Sequence, residues 1–111
     1  MDGPPVYSYE DALALMPEVK ALTGRAVERI QELLGGDSYD EWEVSEAMLP
    51  DYLGIVEEWS RSVLDLGAEV KGLWLVDFDC GSGYYCWKYP EPTLQHFHSY
   101  EEGFGGRVRL T

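Results

Sequence analysis

Apolar residues in the first third of the chain recur every three or four positions, which is the period of an amphipathic helix. The stripe consists of Leu15, Val19, Leu22, Ala26, Ile30 and Leu33. Ser8 with Asp11 three positions later is typical of a helix N-terminal cap, and two consecutive glycines after position 34 suit a helix C-terminus. The pattern predicts a helix over residues 8–34. We expect it to be kinked or interrupted near Pro17, because proline lacks an amide hydrogen and its ring clashes with the preceding turn.

A second apolar stripe with the same spacing follows. It consists of Leu49, Tyr52, Val56, Trp59, Val63, Leu66 and Val70. We predict helical structure over residues 38–70, interrupted near Pro50, because proline is favoured in the first turn of a helix. The short connection between the two stripes favours an antiparallel helical hairpin within one chain. The same spacing is found at coiled-coil seams, so pairing between two chains is the alternative.

From Leu73 onward the pattern changes to β-branched and aromatic residues, which are typical of strands. The Gly81-Ser82-Gly83 segment separates two such runs and predicts a hairpin turn. Two prolines then end the second run, since proline cannot donate to a strand ladder. We predict three antiparallel strands, near residues 73–79, 83–89 and 93–98.

These elements predict a single α+β domain over residues 1–111. Two long antiparallel helices pack on a small three-stranded antiparallel sheet, because so small a sheet needs a cover on one face. The sheet is a meander over residues 73–98, and a glycine-rich tail follows over residues 99–111.

Composition limits the partners of this domain. Twenty-one acidic residues oppose eight basic ones, giving a formal net charge of −13, and such a surface repels nucleic acid and anionic membranes. The first residues have no signal-peptide pattern, and no apolar run is long enough to span a bilayer. We therefore expect a cytoplasmic protein with no nucleic-acid or membrane partner, in which Cys80 and Cys86 are reduced thiols.

Several short motifs in the second half of the chain stand in a fixed order. They are Val76-Asp77-Phe78, Tyr84-Tyr85-Cys86-Trp87-Lys88, Glu91-Pro92, His98 and Gly103-Phe104-Gly105-Gly106-Arg107. A weaker match at the other end comprises Ser8-Tyr9-Glu10-Asp11-Ala12 and Leu15-Met16-Pro17-Glu18. In these motifs the chain resembles the prokaryotic domain-of-unknown-function family 2203, with Pro90 and Phe97 at positions where that family has Gly and Trp. The resemblance implies a grouping of small proteins and no particular reaction.

Four charged or titratable residues of these motifs form a candidate functional cluster: Asp77, Glu91, His98 and Arg107. Asp77 lies in an otherwise apolar strand, and a buried carboxylate is costly unless it is paired. A structural interpretation pairs Asp77 with Arg107 or with His98, which fastens the tail to the sheet. A functional interpretation makes His98 a general base oriented by Asp77, with Arg107 holding an anionic ligand.

His96 and His98 suggest a metal site, because residues two apart on a strand project from the same face. Zinc requires three or four ligands. Asp77, Glu91, Cys86 or Glu10 would have to complete the set, with two ordinary histidines at the rim of a sheet as the alternative.

The sequence leaves two alternative functions open. Since no complete catalytic motif is present, we predict a non-catalytic binding or interaction module for a protein or small anionic ligand. It is expected to form a homodimer through exposed aromatic residues such as Trp74, Tyr84 and Tyr89. The alternative is a small metal- or anion-dependent enzyme, such as a hydrolase, using His98 with Asp77 or Glu91 and a divalent metal such as zinc as cofactor.

Overall fold

The computed structural model describes residues 6–110, in which two helices are followed by an antiparallel sheet. The α+β class is confirmed, but the predicted number of strands is wrong, because the sheet has five strands instead of three. The elements are α1 Tyr9–Leu34, α2 Leu49–Asp65, β1 Glu69–Gly72, β2 Leu75–Asp79, β3 Tyr84–Lys88, β4 His96–His98 and β5 Val108–Arg109. The expectation that the chain starts without a signal peptide concerns residues 1–5, outside the described residues.

Helix α1 begins where the sequence predicts. The Ser8 hydroxyl accepts a hydrogen bond from the Asp11 amide at 3.0 Å, and the Asp11 carboxylate accepts one in return from the Ser8 amide. The helix ends at Gly35, which adopts a left-handed conformation with φ 79°. Pro17 lies inside α1, and the helix continues past it, so of the two expectations, a kink or an interruption, the interruption is wrong. The lost backbone hydrogen bond is tolerated because the nearby residues Met16 and Val19 are buried in the core.

Helix α2 is shorter than the predicted segment at both ends. Residues 38–48 contain only a single-turn 3-10 helix, Glu41–Glu43, and Pro50 lies in the first turn of α2. The C-terminal end differs because Gly67 adopts a positive φ of 98°, which turns the chain into β1. Val70 therefore pairs with Val76 of β2 instead of extending the apolar stripe of the helix.

The two helices pack together through one buried polar contact among apolar residues. The Trp59 indole N–H donates to the Thr23 hydroxyl at 2.8 Å, and that hydroxyl donates to the Val19 carbonyl at 2.7 Å. The Trp59 ring also meets Trp74 edge to face, with ring centroids 4.8 Å apart. The contact therefore ties α1 and α2 to the loop between β1 and β2.

Replacing Thr23 by valine is expected to destabilise the protein by about 1–3 kcal/mol, because the shape is kept while the Trp59 indole N–H loses its acceptor in the core. Urea unfolding followed by tryptophan fluorescence measures this change. Thr93→Val, at a partly exposed site with no side-chain hydrogen bond among the described residues, serves as the control. An equal effect of the two variants would contradict the role of the Trp59–Thr23 bond.

The strands lie side by side in chain order, and every neighbouring pair is antiparallel. One face of the sheet carries Val76, Phe78 and Trp87, which are fully buried in one apolar cluster with residues of both helices. The register places Asp77 opposite Cys86, and Cys86 opposite His96, on the other face. That second face is polar, and the chain after β4 returns over it before it adds β5.

Of the three aromatic residues predicted to be exposed, one is buried. Trp74 is only 3% exposed, and it packs against Trp59 in the core. Tyr84 and Tyr89 are partly exposed. No helix among the described residues combines the length and the apolar character needed to cross a membrane.

Candidate functional site

The centre of the polar sheet face is a buried pair of side chains, Asp77 on β2 and His98 on β4. The His98 Nε2 atom lies 2.8 Å from the Asp77 Oδ2 atom. Asp77 is 0% exposed and His98 is 4% exposed, although neither faces the helices. Tyr100 and Phe104 of the tail line a cavity beside the pair, and the Tyr84 ring packs against His98. Of the two predicted structural pairings of Asp77, the structure has the one with His98.

Hydrogen bonding defines the protonation of this pair. The His98 Nδ1 atom lies 2.9 Å from the Ser99 carbonyl oxygen, and a carbonyl only accepts, so Nδ1 carries a hydrogen and donates it. The short contact between Nε2 and the Asp77 carboxyl then requires a second proton, located between the two side chains. The pair is either an imidazolium facing a carboxylate or an imidazole facing a carboxylic acid.

The Asp77 carboxyl is incompletely satisfied. Burial raises its pKa above the ordinary value of 3.8, and the neighbouring Cys86 and His98 offset that rise only in part. Its second oxygen, Oδ1, is buried and has no hydrogen-bond partner among the described residues. Such an atom costs free energy on folding unless a water, an ion or a ligand supplies the missing partner.

Cys86 completes a three-residue cluster with this pair. Ligand atoms of Asp77, Cys86 and His98 all lie within 4.8 Å of one another. Burial and the adjacent Asp77 carboxyl group together raise the pKa of the Cys86 thiol to about 12, so without a metal ion this side chain is a protonated thiol. Cys86 is thus no nucleophile in this state, since the thiolate is the reactive form.

Glu91 and Arg107 form a separate pair next to this cluster. Arg107 Nη2 lies 2.7 Å from Glu91 Oε2, and Arg107 Nη1 donates to Glu91 Oε1 at 3.0 Å. Glu91 also accepts a hydrogen bond from the Lys88 amide at 2.9 Å. The guanidinium stacks over the Phe104 ring and approaches the Cys86 sulfur at 3.9 Å. The structure therefore divides the four predicted residues into two adjacent pairs, and Arg107 is occupied by a carboxylate.

His96 lies with the second pair, because its Nδ1 atom is 3.7 Å from Glu91 Oε2. His96 and His98 project from the same sheet face, as predicted, but each meets a different carboxylate. Within residues 6–110, the group of three metal-ligand side chains includes His98 but not His96. Glu10, also considered as a ligand, is exposed on α1 and outside this group.

A cavity of about 250 Å³ lies above the Asp77–His98 pair. Its lining residues are Lys71, Leu75, Asp77, Tyr84, His98, Tyr100, Gly103 and Phe104. Lys71 forms a salt bridge with Glu69 at 2.8 Å and lies over the Tyr84 ring. The Tyr100 hydroxyl donates to Asp79 at 2.7 Å. Sequence reasoning missed Lys71 because it follows the residues assigned to the second helix, and it missed Tyr100 because the tail carries no periodic pattern.

The Glu91–Arg107 pair predicts a pH dependence of stability. Burial alone would raise the pKa of Glu91, but the hydrogen bonds from Arg107 and the Lys88 amide outweigh burial and lower it below the ordinary value of 4.5. A lowered folded-state pKa means that Glu91 contributes its stability above pH 4.5 and loses it as the pH falls through the folded value.

The measurement compares unfolding of the wild type and Glu91→Gln across this range. At pH 7 the variant is expected to be less stable by about 1–2 kcal/mol, since a hydrogen bond to a charged group is lost. Below pH 4.5 the difference should shrink as the wild-type carboxylate becomes protonated. A difference that stays constant, or grows, in acid would contradict the assignment.

Comparison with known proteins is consistent with the motif resemblance. A search of curated proteins and a search of solved structures found no match. A family model described as "Uncharacterized conserved protein (DUF2203)" matches residues 6–110, a range that includes both helices, all five strands and both side-chain pairs. The chain therefore belongs to the DUF2203 family of uncharacterized conserved proteins.

Proposed function

We propose that this protein is a non-catalytic binding module that takes a small ligand into the cavity above Asp77 and His98. The observation that carries this proposal is that Asp77 lines the cavity and that its buried Oδ1 atom has no hydrogen-bond partner among the described residues. A ligand that presents a cation or a hydrogen-bond donor to this oxygen would remove the cost of leaving it unpaired.

The charges around the cavity favour a cationic or donor ligand over the small anionic ligand expected from the sequence. Asp77 lies at the base, and Glu69 and Asp79 contact residues of the rim. Lys71 is the cation of the rim, and it is already paired with Glu69. Arg107, which was expected to hold the anion, is bound to Glu91.

The test maps binding by NMR with named probes. Methylammonium and guanidinium are titrated into the labelled protein, with acetate and phosphate as anionic comparators. The proposal predicts saturable shifts of the Asp77, His98 and Tyr100 amides with the cations. Asp77→Asn should abolish these shifts, whereas Glu58→Gln on the exposed surface of α2 should not. Cation-induced shifts absent from the cavity, or unchanged in Asp77→Asn, would contradict the proposal.

The second candidate is an enzyme that uses His98 with Asp77 as a general base, and the 2.8 Å contact between them favours it. A general base needs one ring nitrogen for the orienting carboxylate and the other for the substrate. In His98 the other nitrogen donates to the Ser99 carbonyl, so both nitrogens are engaged. Glu91 is likewise engaged by Arg107, which places a binding role ahead of a hydrolase.

Self-association is proposed through the helices, because the predicted aromatic patch is partly buried. Exposed apolar side chains include Leu49, Leu53 and Leu64 of α2, and Trp42 in the preceding segment is 89% exposed. Light scattering over a range of protein concentrations tests the homodimer. A monomer throughout would remove this part of the proposal.

The cytoplasmic location stays a prediction from the sequence.

A further inference from the structure

We infer that the ligand at the base of the cavity is a divalent transition-metal ion, zinc foremost, held by Asp77, Cys86 and His98. This inference rests on the proposed binding function and names the chemistry of its ligand. The three side chains come from three adjacent strands, and their ligand atoms lie within 4.8 Å of one another. The metal set therefore contains the cysteine in place of His96.

The donor atoms select the metal. Thiolate sulfur, imidazole nitrogen and carboxylate oxygen together suit zinc, whereas magnesium and calcium prefer oxygen ligands. Three protein ligands leave a fourth position of a tetrahedral ion open, as in zinc sites that bind water or a substrate. The adjoining cavity provides room for that fourth ligand.

The loss of two protons from the metal-free cluster balances the charge of the ion. Without metal, the Asp77–His98 pair shares one proton, and the fully buried Cys86 thiol beside this pair carries another. Zinc replaces both, which leaves a thiolate, a carboxylate and a neutral imidazole around a doubly charged ion. The metal–ligand assembly is then electrically neutral, and this neutrality offsets the cost of burying two anions.

Neighbouring residues already support this geometry. The Ser99 carbonyl accepts from His98 Nδ1, which leaves Nε2 as the metal-facing nitrogen. Arg107 Nη1 lies 3.9 Å from the Cys86 sulfur, so it can donate to a thiolate while Glu91 balances its charge. Asp77 Oδ2 and His98 Nε2, now 2.8 Å apart, would open to roughly 3.3 Å around zinc, as metal–ligand bonds of about 2.0–2.1 Å require.

The experiment is calorimetric titration of zinc into untagged, chelator-treated protein, with magnesium as the comparator. Wild-type protein should bind one zinc ion with release of about two protons, measured in buffers of different ionisation enthalpy. Two matched pairs locate the site: Cys86→Ser against Cys80→Ser, and His98→Gln against His96→Gln. Cys86→Ser and His98→Gln should each lose more than about 100-fold in affinity, since even an outer partner of a metal ligand contributes 10- to 100-fold. Cys80→Ser and His96→Gln should bind as the wild type does.

A second measurement covers the case in which Cys86→Ser or His98→Gln does not fold, as judged by circular dichroism. Cobalt replaces zinc in the wild type, and a sulfur-to-cobalt charge-transfer absorption is expected. Its absence, or its loss in Cys80→Ser, would overturn the assignment of Cys86. Zinc affinity that survives His98→Gln, or that depends equally on His96, would overturn the assignment of His98.

The outcomes separate the metal from the binding function. Failure of zinc to bind, combined with methylammonium shifts at the cavity, would overturn the zinc site and leave a binding module. Failure of both zinc and the organic cations would overturn both proposals.

Discussion

Replacing Asp77 by alanine is expected to lower the free energy of unfolding of the metal-free protein by about 3–5 kcal/mol, because removing one member of a buried pair leaves the other uncompensated. The remaining member is His98, which is 4% exposed and still donates to the Ser99 carbonyl. Its Nε2 atom would face an empty volume. Urea unfolding at pH 7 in the presence of a chelator measures the loss.

Asparagine at the same position is the matched variant, and it is expected to change stability by less than about 1 kcal/mol, within the range of a typical single hydrogen bond. The amide has the shape of the carboxyl group and can donate to a neutral His98. It also removes a charge from a site in which burial raises the pKa of the carboxyl. An asparagine variant as unstable as the alanine variant would mean that the charge of Asp77 itself stabilises the fold.

Replacing Arg107 by alanine is the second large effect, an expected loss of about 2–4 kcal/mol, because a largely buried carboxylate loses its cation. Glu91 would keep only the Lys88 amide as a close donor. The loss also removes the contact of the guanidinium with Phe104, which covers the cavity from the tail. Thermal and urea unfolding of the variant provide the measurement.

Arg29→Ala is the control, because Arg29 pairs with Glu58 at an exposed site, where an ion pair contributes about 0–1 kcal/mol. The double variant Arg107→Ala with Glu91→Gln should recover part of the loss, since it removes the uncompensated charge. Equal effects of Arg107→Ala and Arg29→Ala, or no recovery in the double variant, would contradict a structural role of the Glu91–Arg107 pair.

The sequence predicted those elements whose signals are local. Ser8 and Asp11 are sufficient to define the start of α1, because a capping box involves only residues three positions apart. The β2–β3 hairpin follows from its glycine-containing turn. In contrast, Val70 continues the apolar period of α2 and was assigned to that helix. Only the left-handed Gly67 diverts this segment into β1.

Strand β5 was missed for a different reason. It consists of Val108 and Arg109, both exposed, so no alternation of apolar and polar residues marks it. It exists because the tail folds back and pairs with β4, with Phe97 opposite Val108. Pairing between segments distant in sequence is not readable from local periodicity.

The sequence singled out Asp77, Glu91, His98 and Arg107 as candidates, but it left the partner of Asp77 open between His98 and Arg107. An acidic residue in an apolar strand indicated a buried, paired Asp77, and that expectation holds. Which residue pairs with it depends on the register of β3 and β4, with Tyr84 opposite His98. Cys86 joins the cluster through the register of β2 and β3, which places it opposite Asp77. The sequence alone made it one of several possible ligands.

The imidazole nitrogen shifts of His98, measured by ¹⁵N NMR with and without zinc, test the binding site at Asp77 and His98 most directly. We predict a protonated Nδ1 in both states, because it donates to the Ser99 carbonyl. Zinc should change the Nε2 resonance of His98 and leave both nitrogens of His96 unchanged. An unprotonated Nδ1 in His98, or a zinc-dependent change at His96 instead, would contradict the account.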